Sequence, residues 1–308
     1  MTTDLDGGRR VVVLLGAGRS GTTLLYKVLA THPEIGYFSN YQARFPGVPD
    51  TARLHRLLRG RPDLVRRAWF GDDGGAYFGV RRRWHKALVP TPAEAEAVYQ
   101  ACGMRVDTAP GDRLSDESVA VLRRVFEAAR RAGGAAVQLT KRTANNRRVA
   151  QLLQAFPEAR FLHIVRDGRA VASSSLVVDW WPDHVLHWCG QTPRQMAAAG
   201  HDPLEVAARH WVESMQVLEQ GLALLPSGSL LQLRYEELLE RPADAAGRIL
   251  DHIGVSRQAP QFWSILESLG LSSKPEGWRK RWTPDELACV EAIQGGTLQR
   301  WNYQLTRA

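Results

Sequence analysis

Glycine, hydroxyl and arginine side chains are concentrated in the segment GAGRSGTT, residues 16–23, which directly follows an apolar run. A glycine-rich turn between a strand and a helix presents backbone N–H groups to an anion, and the helix dipole adds to that attraction. The segment therefore predicts a phosphate-binding loop. Three kinds of loop share this outline, and they differ in the anion that they hold.

The dinucleotide-binding fingerprint GxGxxG is met by Gly16, Gly18 and Gly21. That fold also needs an acidic residue about 20 positions further on, which binds the ribose hydroxyls. The corresponding stretch here is GYFSN, residues 36–40, and it contains no acid. The pattern therefore argues against a dinucleotide site.

The nucleoside triphosphate loop GxxxxGK[ST] is nearly met, but Thr22 stands where the lysine belongs. That lysine contacts the terminal phosphates, so a kinase without it would be severely impaired. The positive charge lies inside the loop instead, at Arg19. The pattern favours a loop that holds a single phosphate group, with no obligatory metal ion. A P-loop kinase is the alternative interpretation of this loop. The residues expected to hold the phosphate are Gly18, Arg19, Ser20, Gly21, Thr22 and Thr23.

A second anion-binding pattern follows the apolar run FLHIV, residues 161–165. Arg166 comes directly after this run, and Ser174 follows on a predicted helix eight residues later. Both side chains can reach one anion above the carboxyl ends of parallel strands, which is the usual ligand crevice of an open α/β sheet. Two phosphate positions on one sheet indicate a nucleotide that is phosphorylated at both ends.

The elements that must position these residues follow from hydrophobic patterning. Apolar runs typical of buried parallel strands occupy residues 10–15, 135–140, 159–165 and 230–235. Helical spacing follows in residues 22–31 and 145–156, and further helix signals occur in EELLE, residues 236–240, and ADAAGRILDHIG, residues 243–254, with Gly254 as a C-cap. Alternating strands and helices imply right-handed parallel crossovers. We predict an α/β, P-loop-like fold of three layers with a mostly parallel central sheet.

Two less regular stretches, at about 42–134 and 177–228, are rich in Arg, Trp, Gly and Pro. They contain helical patterns but no strand-rich region of their own. We interpret residues 1–308 as a single domain in which these helical insertions form the acceptor side of the site, since loops and insertions commonly carry specificity.

The formal charge of +8 favours anionic partners. A non-catalytic binder of nucleic acid or acidic polymer is therefore the alternative from a different functional class. The arginine clusters are short and scattered, however, and we predict no nucleic-acid partner. Neither a disulfide framework nor a zinc site is indicated, because the three cysteines are far apart: Cys102, Cys189 and Cys289.

The chain shows no run of about 18 apolar residues and no secretory pattern at residues 1–10. We therefore expect a cytoplasmic protein with no membrane partner. Its oligomeric state does not follow from the sequence.

GRSGTT and VRDGRAVASS, in this order, resemble the sulfotransferases that use 3′-phosphoadenosine 5′-phosphosulfate (PAPS). Among these, the motifs are most similar to tyrosylprotein sulfotransferases and to bacterial enzymes of similar pattern. The resemblance implies that residues 19–23 hold the 5′-phosphosulfate and that Arg166 and Ser174 hold the 3′-phosphate. It also implies that Tyr235, in RYEELLERP, lies near the adenine, and that Lys274 contacts the cofactor from a closing C-terminal loop.

The same resemblance implies in-line transfer of the sulfuryl group of PAPS to a hydroxyl or amine, with 3′-phosphoadenosine 5′-phosphate (PAP) as product and no metal required. The acceptor is expected to be a small molecule, a glycan or a peptide. Arg19 is expected to stabilise the charge that develops on the leaving phosphate. Lys141, at the end of the run AAVQLTK, matches the family lysine that bridges toward the transferred group.

The acceptor also needs a general base. The positions at which two branches of the family carry a glutamate and a histidine are Asn40 and Thr143 here. We predict His184 as the base, because it follows the helix of Ser174 and an imidazole has a suitable pKa. Asp179 and His187 are the alternatives, and a capping or packing role for His184 stays open.

Overall fold

The computed structural model describes residues 10–71, 88–272 and 277–306. Among these residues, five strands form one sheet in the order β2-β3-β1-β4-β5, and every pairing between neighbours is parallel. The strands are β1 (Val11–Leu15), β2 (Ile35–Gly36), β3 (Val137–Lys141), β4 (Arg160–Val165) and β5 (Leu230–Arg234). The four predicted strands are confirmed to within two residues at each end, and β2 is the one that was not predicted.

Helices cover both faces of the sheet. They are α1 (Thr22–Ala30), α2 (Asn40–Arg44), α3 (Pro62–Trp69), α4 (Glu96–Ala101), α5 (Asp116–Gly133), α6 (Val149–Ala155), α7 (Gly168–Ser175), α8 (Pro193–Ala198), α9 (Pro203–Leu222), α10 (Tyr235–Glu240), α11 (Pro242–Ile253), α12 (Pro260–Ser268) and α13 (Pro284–Arg300). The 3₁₀ segments among the described residues are Pro49–Leu58, Thr143–Arg147, Trp181–Asp183 and Arg279–Arg281. The helix α11 ends at Ile253, and Gly254 is its C-cap as predicted, in a left-handed conformation with φ of 72°.

The central strand β1 separates two hydrophobic cores. Its five residues, VVVLL, are all buried. Val12 and Leu14 pack with α1, α11 and α12, whereas Val13 and Leu15 pack with α5 and α6 on the other face. Side chains alternate across a strand, so an unbroken apolar run is what a strand covered on both faces requires. The predicted three-layer α/β fold is confirmed.

The predicted helix at 145–156 is wrong in one respect, because it is a 3₁₀ turn followed by α6. The break falls at Arg148, whose φ of −102° and ψ of 12° are not helical. Its guanidinium is fully buried and donates to the carboxylate of Glu96 at 2.5 Å and to the carbonyl oxygen of Arg105 at 2.7 Å. These tertiary contacts outweigh the local preference for a continuous helix.

Within the first insertion, at about residues 42–134, the chain returns to the edge of the sheet after α3. There Ser39 and Pro92 form an antiparallel bridge, and the N–H of Ala93 donates to the carbonyl oxygen of Phe38 at 2.8 Å. The segment 91–94 is therefore laid along residues 38–40, close to the carboxyl ends of the strands. In the part of the chain that the structure describes, no helix is long and apolar enough to cross a membrane.

Candidate functional site

The loop of residues 16–21 connects β1 to the N-terminus of α1. Gly21 is the N-cap, with φ of 86°, and no side chain caps the helix. The hydroxyl of Ser20 is buried and has no hydrogen-bond partner among the described residues. An uncapped helix N-terminus beside an unpaired buried hydroxyl is the arrangement that an anion satisfies.

The start of the loop is held by Asn146, from the 3₁₀ segment after β3. Its side-chain amide accepts from the N–H of Gly16 at 3.2 Å and donates to the carbonyl oxygen of Gly16 at 3.0 Å. Both bonds are buried, so they fix the point at which the chain leaves the sheet. Nothing in the local sequence around Asn146 indicates this role.

The second anion motif meets the first directly. The Nε of Arg19 donates to the hydroxyl of Ser174 at 3.0 Å, and the Nη1 of Arg166 donates to the carbonyl oxygen of Arg19 at 2.9 Å. Arg19 has a φ of 66°, which is unfavourable for a residue with a side chain. The two motifs are therefore one continuous site at the carboxyl ends of β1 and β4.

Tyr235 lies against both motifs. The guanidinium of Arg166 stacks over its ring at 4.6 Å from the centroid. A Cβ at Gly21 would lie 2.2 Å from the same ring, so the ring packs on the loop at a place where only glycine fits. Lys274, the other predicted cofactor contact, lies outside the described residues.

The helix α7, which carries Ser174, is held at its start by charged side chains. Asp167 is its N-cap and accepts from the N–H of Arg169 at 2.9 Å. The buried guanidinium of Arg169 also pairs with Asp167 at 2.7 Å and with Glu291 of α13. These contacts fix the helix, and with it the position of Ser174, relative to the sheet.

Lys141 lies at the carboxyl end of β3, beside the phosphate loop. Its side chain is only 5% exposed, and its Nζ donates to the hydroxyl of Thr23 at 3.3 Å. The same Nζ forms an ion pair with the carboxylate of Glu94. The predicted Lys141 is thus brought next to the predicted phosphate-binding residues, while its catalytic role stays a prediction.

Glu94 belongs to a charged network that includes two acids and three cations. Arg142 donates to Glu94 at 2.6 Å and to Glu96 at 2.7 Å, and Glu96 in turn pairs with Arg148. Burial raises the pKa of Glu94, but Lys141 and Arg142 outweigh that effect and hold the pKa at about 2. Glu94 is therefore ionised at neutral pH.

His184 lies at the end of the 3₁₀ segment Trp181–Asp183, in a cluster of rings. The centroid of its ring is 6.0 Å from that of Trp181 and 5.6 Å from that of His210, and His187 is also 5.6 Å from His210. Burial lowers the pKa of His184, and the positive charge of Arg142 lowers it further. His184 is therefore unprotonated at neutral pH, as a base must be.

The two family positions that lack a base have structural roles here. The side-chain oxygen of Asn40 accepts from the N–H of Thr91 at 2.9 Å, and Thr143 begins a 3₁₀ segment. Asp179, the other alternative, is exposed. Among the described residues, no group of three or more potential metal ligands lies together.

A family model described as "Sulfotransferase family" matches residues 11–259. The chain belongs to the sulfotransferase family. This match decides between the two enzymes that the loop pattern left open, in favour of a sulfotransferase and against a P-loop kinase.

Among curated proteins, this sulfotransferase is similar to omega-hydroxy-beta-dihydromenaquinone-9 sulfotransferase Stf3 of Mycobacterium bovis and of Mycobacterium tuberculosis. Each is 28% identical over 165 residues, which is 54% of this chain and 41% of the relative. The aligned region thus spans about two fifths of the length of the curated relatives.

Among solved structures, it is similar to sulfotransferase STF9 of Mycobacterium avium, with a TM-score of 0.60 and 15% identity over 96% of this chain and 78% of that one. It is also similar to the sulfotransferase domain of the curacin biosynthetic pathway, with a TM-score of 0.52 and 16% identity over 96% and 99% of the two chains. At this level of identity the likeness shows the fold.

The candidate site thus brings together several of the residues that the sequence singled out. Arg19 contacts Ser174 and Arg166, Arg166 contacts Tyr235, and Lys141 reaches Thr23. His184 lies in the ring cluster described above. Sequence reasoning missed Glu94 and Asn146, because neither occurs in a recognisable pattern and both reach the site through contacts between distant parts of the chain.

Proposed function

We propose that this sulfotransferase moves the sulfuryl group of PAPS to a hydroxyl or amine of a small-molecule, glycan or peptide acceptor by in-line transfer. The observation that carries the proposal is the direct contact between the two anion motifs, Arg19 to Ser174 at 3.0 Å. A nucleotide with phosphates at both ends needs two anion positions close together on one sheet edge.

The residues present fit such a nucleotide. The uncapped N-terminus of α1 and the unpaired hydroxyl of Ser20 would receive the 5′-phosphosulfate, with Thr22 and Thr23 beside them. Arg166 and Ser174 would hold the 3′-phosphate, because charge-assisted and hydroxyl hydrogen bonds suit a phosphate group. The ring of Tyr235, next to Arg166, offers an apolar face to the adenine.

Catalysis then rests on fixed positive potential and on positioning. Bound PAPS supplies a sulfuryl group whose bond to the phosphate oxygen breaks during transfer. Arg19 and the amides at the start of α1 stabilise the leaving phosphate, and their contribution grows as its charge develops. Lys141, next to Thr23, stabilises the transferred group from the β3 side. His184 stays the sequence-based prediction for the base.

Isothermal titration with 3′,5′-ADP, 5′-AMP and MgATP tests this function. We expect 3′,5′-ADP to bind in the presence of EDTA, and about 10- to 100-fold more tightly than 5′-AMP, since a charged hydrogen bond contributes about 1.5–3 kcal/mol. Tighter binding of MgATP would contradict the proposal. A steep salt dependence without preference for the 3′-phosphate would instead support the non-catalytic binder of acidic polymers.

A further inference from the structure

The segment of residues 91–94, which ends at Glu94, lies against Asn40. Asn40 is the position at which one branch of the family carries its glutamate base. The side chain of Asn40 binds the N–H of Thr91, and the N–H of Asn40 donates to the carbonyl oxygen of Thr91 at 3.0 Å. Together with the bridge between Ser39 and Pro92, these bonds fix the segment on both sides of Asn40. Glu94 follows three residues after Thr91 and reaches the end of β3.

The backbone immediately after Glu94 is strained. Ala95 has a φ of 44°, although it is neither glycine nor asparagine, and it is 4% exposed. A left-handed conformation costs an alanine about 1–2 kcal/mol, and strain of this kind persists where the surroundings impose it, often at functional sites. The strain turns the chain into α4 so that Glu94 faces Lys141 and Glu96 faces Arg148.

The side chain of Glu94 is held by two cations and is partly exposed. It contacts the buried Nζ of Lys141 on one side and the guanidinium of Arg142 on the other. Its side chain is nevertheless 35% exposed, whereas that of Lys141 is 5% exposed. Lys141 therefore lies between Thr23 of the phosphate loop and Glu94, and part of the Glu94 side chain stays open to a second substrate.

We propose that Glu94 is the general base that accepts the acceptor's proton. This inference rests on the proposed function. The proton of the acceptor O–H moves to a carboxylate oxygen of Glu94 as the acceptor oxygen forms its bond to sulfur. The bond between sulfur and the phosphate oxygen of PAPS breaks, its electron pair stays on PAP, and Glu94 later releases the proton to water.

Arg142 explains how Glu94 stays in place during that step. When Lys141 contacts the transferred sulfuryl group, its ion pair with Glu94 weakens, but the bond from Arg142 at 2.6 Å remains. Arg142 is itself anchored by Glu96, which also neutralises Arg148. The loss of Lys141 as a partner raises the affinity of Glu94 for a proton at the stage when the acceptor must give one up.

The test compares phenol with 4-nitrophenol as acceptors for radiolabelled PAPS. The second acceptor is far more acidic and needs little help from a base, and release of inorganic sulfate measures transfer to water in the same samples. For Glu94→Gln we expect transfer to phenol and to water to fall by about 100-fold or more. Transfer to 4-nitrophenol should fall less than about 10-fold. Glu94→Asp should recover part of the loss.

The matched control is Glu127→Gln. Glu127 of α5 also pairs with arginines, is 31% exposed and has a pKa lowered to about 2, mainly by its hydrogen bond from Arg130. It lies outside the site, so all three transfer rates should stay at the wild-type level. His184→Gln, measured in parallel, tests the base predicted from the sequence.

Three outcomes would overturn the proposal: retention of phenol transfer within about 10-fold in Glu94→Gln, an equal loss with both phenols, or the acidity-dependent loss appearing in His184→Gln instead. An equal loss would mean that Glu94 only holds Lys141. Failure of the wild-type protein to bind 3′,5′-ADP would overturn the proposed function itself, and titration of each variant with 3′,5′-ADP separates the two cases.

Discussion

The two regions that we propose as the nucleotide side and the acceptor side of the site are built in different ways. Arg19 and Arg166 come from two strand-to-helix connections and Ser174 from the helix after the second, so that each motif is continuous in the sequence. Glu94 meets Lys141 only because an insertion returns to the sheet edge and is bonded along residues 38–40. The proposed phosphate-binding residues are thus close together within each motif, whereas the proposed acceptor residues are brought together by contacts between distant parts of the chain.

The two sides also differ in how their cations are engaged. On the nucleotide side, Arg19 contacts a hydroxyl, and Arg166 contacts a carbonyl oxygen and a ring. On the acceptor side, Lys141, Arg142 and Arg148 all pair with carboxylates. The charges of Lys141, Arg142 and Arg148 are thus offset by neighbouring carboxylates, whereas the contacts described for Arg19 and Arg166 are with uncharged groups. This difference predicts that substitutions on the nucleotide side will mainly weaken nucleotide binding, whereas those on the acceptor side will mainly slow turnover.

Lys141→Met should give the largest effect. Lys141 lies at the boundary between the two sides and is expected to act on the transferred group, so turnover with radiolabelled PAPS should fall by about 1,000-fold. The dissociation constant for 3′,5′-ADP, which lacks the sulfuryl group, should change by less than about 10-fold. An equal loss of nucleotide binding would place Lys141 on the nucleotide side alone.

Arg166→Gln should act on binding rather than on turnover. We expect the affinity for 3′,5′-ADP to fall by about 10- to 100-fold and that for 5′-AMP to change much less. Arg209→Gln is a matched control, because Arg209 also stacks on a ring, that of Trp188 at 4.5 Å, but lies on α9 away from the loop. If the two variants weaken 3′,5′-ADP equally in titration calorimetry, Arg166 has no special part in holding the 3′-phosphate.

The smallest expected effect is on the free energy of unfolding at acid pH, through the histidines near the proposed acceptor side. Burial lowers the pKa of His210 to about 3, so the folded protein binds fewer protons than the unfolded chain between about pH 6.5 and pH 3. The contribution of His210 to the free energy of unfolding is therefore fully present above pH 6.5. It is lost as the pH falls through this window, by up to about 1.4 kcal/mol for each pH unit. His184 and His187, whose pKa values burial also lowers, act in the same direction.

Urea unfolding at several pH values measures this slope. His210→Gln should reduce the slope of the unfolding free energy against pH by an amount that corresponds to about one proton per molecule. His252→Gln is the control, because His252 lies on α11 outside the cluster. Its effect should be smaller, since the pKa of His252 is lowered less than that of His210. An unchanged slope in His210→Gln would show that the ring cluster does not titrate on unfolding.

The strands and the phosphate loop were predictable because their signals are local. Val11–Leu15 is an unbroken apolar run, and the glycines that follow it occur in a strand-to-helix context. The strand β2 was missed since two residues, Ile35 and Gly36, are too few to show a pattern. The break at Arg148 was missed because its cause is an ion pair with Glu96, 52 residues earlier in the chain.

The proposed catalytic base, Glu94, shows the limit of motif reasoning most clearly. Asn40 and Thr143 could be identified as lacking the family's side chains, and His184 could be chosen by its proximity to a motif. Glu94 offered no such signal, because TPAEAEAV, residues 91–98, is typical of an ordinary helix start. Its relation to Lys141 depends on hydrogen bonds between residues 38–40 and 91–93, which only the folded chain reveals.

The hydrogen bond from Arg166 to the carbonyl oxygen of Arg19 has a consequence for ligand design. In the proposed function this one side chain supports the left-handed turn of the loop and also holds the 3′-phosphate. Occupancy at one end of the nucleotide would therefore affect binding at the other end. Affinities of fragments that carry a single phosphate will not sum to that of the complete nucleotide. Part of that difference reports the coupling between the two ends, and ligands that span both phosphate positions gain from it.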